Sequence, residues 1–370
     1  MKVLYVATSY PENEDDWRGV FIRHLAYALA RLDNLSLAVW APPGPLPANA
    51  RYLASEEESN WLSQLMSQGG IAHAVRSSGP AAIPKIVKLL NHLRLLYKRE
   101  GDTDIYHLNW LQTALPLPNN SKPALMTVLG TDLKLLGLPL VKPLIRRVMR
   151  RRKVAICPNA EWMREPLEAA FGDLAQVCPV PFGIDPVWYA IERKLDPKTP
   201  CWLAVTRLTR DKLGPLLDWS APLFDGQNRE LHLIGPMQEQ ITLPDWVHYH
   251  GPGTPAQLAQ DWFGRAHGLI TLSQHAEGRP QVMLEAMAAG LPIVASDMPA
   301  HANLVQHGST GQLCSAEADY ASAINQLEDL ENNRKAGIAA RAWVAQEIGT
   351  WDDCAQRYVK LYRDLMVSDV

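Results

Sequence analysis

The chain of 370 residues predicts two domains, since a domain takes about 150 residues. Its hydrophobic fraction of 47% and charged fraction of 20% are ordinary for a soluble globular protein, and they exclude a collagen-like, coiled-coil or disordered chain. The formal net charge of −3 provides no global attraction to nucleic acid, so no nucleic-acid partner is expected.

Cysteine usage and the first residues bear on the cellular compartment. Five cysteines without a Cys-x-x-Cys pair indicate reduced thiols rather than a disulfide framework or a zinc site. The apolar start is short and is followed by the acidic segment 12–16, which is atypical of a signal peptide. No apolar run approaches the roughly 18 residues of a membrane span, so we expect a cytoplasmic protein.

The apolar residues alternate between strand-like and helical spacing along the chain. In the first half they predict helices over 21–32 and 83–98, and strands over 3–7, 35–40, 105–108, 124–129 and 155–157. After the proline-rich segment 178–186 they predict a final helix over 351–366, and strands over 202–205, 230–234, 247–250, 268–272 and 292–296. Strands that alternate with helices predict parallel βαβ units.

The fold class expected from these units is α/β, with two Rossmann-like doubly wound parallel sheets. The expected domains are residues 1–180 and 181–350, and the helix in 351–370 is expected to return to the first domain. Two such domains would face each other across a cleft at the carboxyl ends of both sheets, where open α/β sheets bind ligands. The fold alone names no ligand, so the motifs must identify it.

The most informative segment runs from Glu277 to Ser296 and contains two glutamates eight residues apart, Glu277 and Glu285. A loop leads into a predicted helix over 281–289, and the first backbone N–H groups of a helix bind anions. That anion site would comprise Gly278, Arg279, Pro280, Gln281 and Val282. A carboxylate accepts two hydroxyl hydrogen bonds at once, which suits a ribose or sugar diol. The alternative interpretation is a solvated loop glutamate and a helix glutamate that complements the dipole.

This segment resembles the E-x7-E signature of the retaining GT-B glycosyltransferases of family 4, with Ala286, Ala288, Gly290 and Pro292 at the expected positions. Further motifs resemble those of the family in the same order, so the resemblance spans nearly the whole chain. They are Gly19, Gly130-Thr131-Asp132, Pro181-Phe-Gly-Ile-Asp185, Arg207 with Lys212, and Asn303-Leu-Val-x-x-Gly308-x-x-Gly311.

The resemblance implies a retaining glycosyltransferase of GT-B architecture that uses a nucleotide-sugar donor. It implies catalytic roles for Glu277 at the sugar and for Arg207 and Lys212 at the diphosphate, and a donor-binding role for Glu285 at the ribose. The physical chemistry agrees, since a phosphate needs fixed positive charge and an arginine can engage two of its oxygens. Retention requires either same-face delivery of the acceptor or a transient covalent intermediate.

The first domain carries the weaker motifs. Gly19 is expected beside the donor phosphates, with a plain turn as the alternative. Thr131 and Asp132 are expected on the acceptor side, with a helix cap as the alternative for Asp132. The chain also departs from the family pattern: Thr206 and Leu213 stand where the family has glycines, and Leu129 stands where it has a histidine.

The sequence predicts neither a metal nor a cofactor, because no His, Cys and carboxylate cluster is visible and Asp102-Thr-Asp104 is interpreted as a surface turn. The expected partners are the nucleotide-sugar donor and a saccharide or lipid-linked acceptor of glycan or cell-envelope polysaccharide synthesis. Two alternatives remain: a GT-B-shaped nucleotide-sugar epimerase, which needs no acceptor, and a non-catalytic protein that binds nucleotide-sugars.

A basic segment from Arg146 to Lys153 stands out in a chain that is acidic overall. Its apolar residues fall on one helical face and its arginines on the other, which is typical of a helix that binds an anionic membrane. This pattern predicts peripheral attachment to the inner face of the membrane. The alternative is an ordinary helix that packs on the sheet and leaves its arginines solvated.

Overall fold

The computed structural model describes residues 1–14, 16, 18–71, 73–74, 79–275 and 278–367, with the side chains of Pro80 and Thr131 left out. The chain divides into two compact units. The first comprises Met1–Phe182 together with Trp351–Val370, and the second comprises Gly183–Thr350.

The first unit contains a parallel seven-stranded sheet in the order β3-β2-β1-β4-β5-β6-β7. Its strands are β1 (Lys2–Val6), β2 (Ser36–Trp40), β3 (Arg51–Tyr52), β4 (Ile105–Asn109), β5 (Ala124–Val128), β6 (Val154–Pro158) and β7 (Gln176–Val177). Strands β4, β5 and β6 are buried at every residue, as expected of a parallel sheet that helices cover on both faces.

Helices connect these strands and cover the two faces of the sheet. They are α1 (Val20–Ala30), α2 (Glu56–Ser67), α3 (Ile83–Arg99), α4 (Gly130–Leu135), α5 (Val141–Met149) and α6 (Arg164–Phe171). Helix α2 begins with a capping box, in which Ser55 accepts from the backbone N–H of Glu58 and the Glu58 carboxylate accepts from the N–H of Ser55.

The second unit contains a parallel six-stranded sheet in the order β10-β9-β8-β11-β12-β13. Its strands are β8 (Cys201–Val205), β9 (Glu230–Ile234), β10 (Val247–Tyr249), β11 (Gly268–Thr271), β12 (Ile293–Ser296) and β13 (Gly311–Cys314). Within each sheet the strand order follows the 3-2-1-4-5-6 pattern of a doubly wound fold, in which ligands bind at the carboxyl ends of the strands.

The helices of the second unit include short ones next to the strand ends. They are α7 (Pro186–Tyr189), α8 (Arg210–Leu213), α9 (Leu216–Phe224), α10 (Pro255–Gln257), α11 (Gln281–Ala288), α12 (Pro299–Ala302), α13 (Glu317–Glu328) and α14 (Leu330–Glu347). The last helix, α15 (Trp351–Met366), belongs to the first unit, where Asp352 pairs with Arg31, the C-cap of α1, and Trp351 stacks on His24.

Two arginines fix the carboxyl end of α11. Arg193 donates to the carbonyl oxygen of Gly290 at 2.7 Å, and Arg341 donates to that of Ala289 at 2.8 Å. Cations are favourable at this end of a helix, because they interact with the last carbonyl groups and the helix dipole. Burial, together with the neighbouring Arg341, lowers the pKa of Arg193 to about 10. The arrangement holds α11 in place at the opposite end from the predicted anion site.

The predicted α/β class with two doubly wound parallel sheets is confirmed. Sequence spacing missed β3 and β7, because two-residue edge strands have no apolar period to detect. It also missed β13, which begins at Gly311, the last residue of the Asn303–Gly311 motif. Within the described ranges, no helix combines the length and the apolar character needed to cross a bilayer.

Candidate functional site

Most of the predicted site residues that the structure describes follow strands of the second sheet, at its carboxyl edge. Since parallel strands end at the same edge, the loops after β8, β11 and β12 become neighbours. The backbone N–H of Gln274 donates to the carbonyl oxygen of Asp211 at 2.8 Å, which joins the loop after β11 to α8. The hydroxyl of Ser296 donates to the carbonyl oxygen of Ser273 at 2.6 Å, which joins the end of β12 to the same loop.

Arg207 and Lys212 lie on this edge, in the loop after β8 and on α8, and both side chains are half-buried. Thr209 caps α8 and accepts from the backbone N–H of Lys212 at 3.3 Å. The N–H of Leu208 donates to the carbonyl oxygen of Pro236 at 2.9 Å, so the loop is also held by the segment after β9. Two cations are therefore fixed in position at the edge where an anionic ligand would bind.

A glycine does approach the backbone here, although not at the position that the family pattern suggested. Gly214 follows Leu213 and has φ +53°, a conformation that L side chains rarely adopt. A Cβ atom on Gly214 would lie 2.1 Å from the carbonyl oxygen of Leu272. The glycine expected at position 213 is therefore supplied by the next residue, and α8 can pack directly on the end of β11.

The loop that leads into α11 is described in part, because Glu277 lies outside the described residues. Pro280 precedes the helix as its N-cap and no side chain caps it. The first N–H groups of α11, those of Gln281 and Val282, therefore have no intrahelical acceptor. The predicted anion site, which also includes Gly278, remains a prediction.

Two of the predicted donor-binding side chains make contacts within the second unit. Arg279 donates to the amide oxygen of Asn303 at 3.1 Å, which connects the loop before α11 to the segment after α12. Gln281 donates to the carbonyl oxygen of Gly183 at 2.9 Å. These contacts join three of the sequence motifs around the amino terminus of α11.

Glu285 lies on α11 and, unlike Arg279 and Gln281, has no hydrogen-bond partner among the described residues. It is half-buried, and within the described part of the chain its carboxylate accepts no hydrogen bond. Burial, with a smaller contribution from the nearby Asp185 carboxylate, raises the pKa of Glu285 to about 7. A carboxylate in this state gains free energy from any ligand that donates hydroxyl hydrogen bonds.

Asp185 was quoted in a motif but not predicted as a site residue. It caps α7, where its carboxylate accepts from the N–H of Val187 at 3.0 Å. An aspartate before a proline is a sufficient sequence signal for that cap. Its proximity to Glu285 spans a hundred residues of sequence, so no local pattern could have predicted it.

In the first unit, the structure gives Gly19 a local role. Gly19 is the N-cap of α1 at φ +70°, and a Cβ atom there would lie 2.7 Å from the hydroxyl oxygen of Ser9. The turn itself requires a glycine, which is the alternative that the sequence left open. A contact between Gly19 and donor phosphates stays a prediction.

Asp132 is fully buried and its two oxygens are both used. One accepts from the N–H of Leu111 at 2.9 Å and the other from the N–H of Leu129 at 2.8 Å. Burial raises the pKa of Asp132 to about 7, against the opposing effect of these backbone hydrogen bonds. The carboxylate thus joins the end of β5 to the turn after β4, and the side chain of Thr131 is not among those described. Their contact with an acceptor stays a prediction.

The basic segment is less uniform than its sequence predicts. Arg152 is buried, with 8% of its surface exposed, and donates to the carbonyl oxygens of Lys122 at 3.1 Å and Pro118 at 2.6 Å. Arg146 forms a bidentate pair with Asp173. The expectation that Arg152 contributes to an exposed basic surface is wrong, because backbone carbonyls outside the segment bind it. Arg146 is half-buried, and Asp173 partly neutralises its charge. Arg147, Arg150 and Arg151 are exposed.

Among the described residues, no group of three or more His, Cys, Asp and Glu side chains is arranged to hold a metal ion. Asp102 lies in an exposed turn and pairs with Lys2, while the Asp104 carboxylate accepts from the backbone N–H of Lys2 at 2.7 Å. The Asp102-Thr-Asp104 segment therefore stabilises the start of β1, in agreement with its interpretation as a surface turn.

Comparison with known proteins finds a family match within the second unit. Residues 200–330 match the family model described as glycosyl transferases group 1. The chain is similar to a D-inositol 3-phosphate glycosyltransferase of Gordonia bronchialis, with 29% identity over 149 residues, or 40% of this chain and 32% of that protein. The alignments span about a third of the length of the curated relatives that the chain matches.

Solved structures match over nearly the whole chain. Sucrose-phosphate synthase from Thermosynechococcus elongatus superposes with a TM-score of 0.72 at 17% identity, over 99% of each chain. HepE from Anabaena, in complex with UDP-glucose, superposes with a TM-score of 0.66 at 15% identity, over 99% of this chain and 100% of that one. Identities this low show the fold alone. Over residues 200–330, the family model confirms the group 1 family that the motifs predict.

Proposed function

Residues 200–330 belong to the group 1 glycosyl transferases, and from that premise we propose that this protein transfers a sugar from a nucleotide-sugar donor to a saccharide or lipid-linked acceptor. The observation that carries the proposal is the Glu285 carboxylate, which is half-buried and has no described hydrogen-bond donor. It lies on the helix that follows β11, and Arg207 and Lys212 follow the neighbouring strand β8. An acceptor of hydroxyl hydrogen bonds and two cations that follow adjacent strands suit a ribose attached to a diphosphate.

The residues have separate roles in the proposed reaction. Glu285 binds the ribose diol, and Arg207 and Lys212 bind the diphosphate and stabilise the charge that develops as it leaves. The amino terminus of α11 adds backbone N–H groups for the diphosphate or for sugar hydroxyls. Glu277 is assigned to the transferred sugar on its motif alone.

Several finer features belong to the same proposal. The reaction retains the anomeric configuration and needs no metal, since the cations and the helix terminus neutralise the leaving diphosphate. The solved structure of HepE contains UDP-glucose, which makes a uridine nucleotide the first donor to test. The acceptor belongs to glycan or cell-envelope polysaccharide synthesis, and Arg147, Arg150 and Arg151 attach the protein to an anionic membrane at the cytoplasmic face.

A donor screen followed by an acceptor assay tests the proposal. Thermal unfolding is measured with UDP-, GDP-, ADP- and dTDP-sugars, because a ligand that binds the folded state raises the unfolding temperature by mass action. We expect stabilisation by one nucleotide class and nucleotide release that depends on an added saccharide or lipid-linked acceptor. Sugar isomerisation without an acceptor would instead identify an epimerase, and binding without either reaction would identify a non-catalytic protein.

The stereochemistry and the metal requirement are tested on the same reaction. NMR of the first product formed should show the anomeric configuration of the donor. Transfer should continue in the presence of a chelator. Loss of transfer that magnesium or manganese restores would overturn the metal-independent mechanism.

A further inference from the structure

The short helix α12 and its C-cap, Asn303, are connected by side-chain hydrogen bonds to both ends of one loop. That loop comprises residues 273–280, joins β11 to α11 and includes Glu277 in its sequence. No residue of α12 has a part in the proposed reaction, so its two connections to this loop need an explanation of their own.

The first connection begins at His301 of α12, whose side chain is fully buried. Its Nδ1 lies 3.0 Å from the carbonyl oxygen of Ser296, and because a carbonyl oxygen only accepts, Nδ1 carries the hydrogen. The same N–H group lies 3.1 Å from the hydroxyl oxygen of Ser296, so the hydrogen bond is shared between two acceptors. His301 is therefore a donor to the last residue of β12.

Ser296 connects His301 to the start of the loop. Its hydroxyl donates to the carbonyl oxygen of Ser273 at 2.6 Å. Ser273 is buried, and its own hydroxyl accepts from the backbone N–H of His275 at 3.1 Å, which holds the first turn of the loop. Three side chains thus form one series of hydrogen bonds that runs from α12 to the start of the loop.

The second connection holds the other end of the loop. Asn303 directly follows α12, and its amide oxygen accepts from the guanidinium of Arg279 at 3.1 Å. Arg279 precedes Pro280, the N-cap of α11, and a hydrogen bond from a charged donor is stronger than one between neutral groups. One short segment, which contains His301 and Asn303, therefore holds both ends of the loop.

A loop that is held at two points has fewer conformations available to the residues between those points. Glu277 lies between Ser273 and Arg279 in sequence. A displacement of about 1 Å at a reacting group can lower a rate roughly a hundredfold, so the two connections matter most for a side chain that contacts the reacting sugar. They matter less for the ribose and the diphosphate, whose proposed partners are Glu285, Arg207 and Lys212.

We propose that His301 and Asn303 are positioning residues, which hold the 273–280 loop so that Glu277 is placed for the transferred sugar. His301 acts through Ser296 and Ser273, and Asn303 acts through Arg279. The effect on catalysis rests on the proposed function, whereas the restraint of the loop rests on these contacts alone.

Hydrogen exchange of the full chain tests the restraint without turnover. Peptides that cover residues 273–282 are followed by mass spectrometry, because loss of a connection lets the loop open locally and exposes its backbone N–H groups to exchange. We expect exchange in these peptides to be about tenfold faster in His301→Ala and in Asn303→Ala, as the loss of one hydrogen bond predicts. Peptides from β8 and β9 should exchange as in the wild type.

Conservative variants assign the effect to the hydrogen bonds. Asparagine has an N–H group close to the position of Nδ1 in histidine, and aspartate keeps the oxygen that accepts from Arg279. His301→Asn and Asn303→Asp should therefore exchange as the wild type does. The control Gln306→Ala removes an exposed side chain from the same segment and should also have no effect. Asn303 is half-buried, so its two variants provide the test even where His301→Ala fails to fold.

Kinetics and binding together measure the effect on catalysis. With the identified acceptor, both alanine variants should lower kcat by roughly tenfold to a hundredfold, and the conservative variants should recover it. UDP lacks the transferred sugar, so its affinity by calorimetry should stay within about threefold of the wild type in every variant. A loss of UDP affinity as large as the loss of kcat would contradict the positioning role, because general damage to the unit lowers both.

The outcomes separate this inference from the proposed function. If the wild type binds UDP-glucose and transfers its sugar, the positioning role is wrong when the alanine variants keep the wild-type kcat, when their exchange is unchanged, or when the conservative variants lose as much as they do. The proposed function stands in each of these cases. If exchange changes as expected while the wild type binds no nucleotide-sugar, the restraint of the loop is supported and the proposed function fails.

Discussion

Two carboxylates, one in each unit, lie on helices that follow a strand of the sheet, and they differ in their hydrogen-bond partners. Asp132 follows β5 in the first unit and Glu285 lies on α11 in the second, and burial raises the pKa of each to about 7. Asp132 accepts two backbone hydrogen bonds. Glu285 accepts none from the described residues. A raised pKa therefore does not by itself mark a functional carboxylate, and the hydrogen-bond partners distinguish the two cases.

The difference has an energetic consequence. The hydrogen bonds of Asp132 offset part of the cost of its burial, and they tie the turn after β4 to the end of β5. Burial of Glu285 costs free energy that the described contacts do not offset, and a ligand would recover it. The Asp132 carboxylate therefore stabilises the structure at the edge of the first sheet, whereas the Glu285 carboxylate in the second unit is available to bind a ligand.

The largest expected effect concerns the cations of the second edge. Lys212→Ala should lower kcat/KM by about a hundredfold to a thousandfold, because a charge that stabilises the leaving diphosphate is lost. The control Arg210→Ala removes an exposed cation from the same helix and should retain most of the activity. Steady-state kinetics with the identified donor checks both variants. Equal losses in the two would show that general charge, rather than the position of Lys212, matters.

The next largest effect tests the structural role of Asp132. Asp132→Asn should lower the free energy of unfolding by roughly 2–4 kcal/mol, since an amide cannot accept from both Leu111 and Leu129 and leaves a buried donor unpaired. Chemical denaturation measures this change, and UDP-glucose affinity measured below the unfolding transition should remain that of the wild type. A variant of wild-type stability would contradict the role assigned to Asp132.

What the sequence could predict depends on how far apart the interacting residues lie along the chain. Most of the strands, α11 and the two glutamates lie in local patterns, so apolar period and motif spacing predict them. The Leu129 partner of Asp132 lies three residues away, in the local helix-cap pattern. Its other partner, Leu111, and the Lys122 partner of Arg152 lie about twenty to thirty residues away in sequence, and Asp185 lies a hundred residues from Glu285. These contacts depend on the strand order of each sheet, which no local pattern encodes.

A smaller effect extends the comparison to the surface of the first unit, where Arg150 and Arg151 are exposed. Leu140, at the other end of α5, is 71% exposed. Each surface cation contributes about 1 kcal/mol to binding an anionic bilayer, so Arg150→Gln/Arg151→Gln should weaken vesicle binding roughly thirtyfold. The control Arg334→Gln/Lys335→Gln removes two exposed cations from α14. Sedimentation with phosphatidylglycerol vesicles at low and high salt measures the binding. Recovery of the wild type in the supernatant at low salt would reject the membrane surface.

The central claim is that the Glu285 carboxylate binds a ligand, and the pH dependence of stability and of donor affinity tests it. From about pH 4.5 to 7 the folded protein holds a proton on Glu285 that the unfolded chain has lost, so ionisation of this residue lowers stability as the pH rises through that window. Glu285→Gln removes this contribution and should leave the protein at least as stable as the wild type at pH 8. A bound diol favours the ionised carboxylate, so donor affinity should increase with pH in the wild type alone.

The decisive measurement is the affinity for the nucleotide-sugar of wild type and Glu285→Gln at pH 6 and pH 8, by calorimetry, with unfolding temperatures recorded on the same samples. UDP-glucose is a suitable probe because its diphosphate does not titrate in this range. The account predicts that Glu285→Gln loses about tenfold to a hundredfold in affinity at pH 8 without losing stability, and that its affinity no longer depends on pH. Unchanged affinity, or a loss of affinity that accompanies a loss of stability, would contradict it.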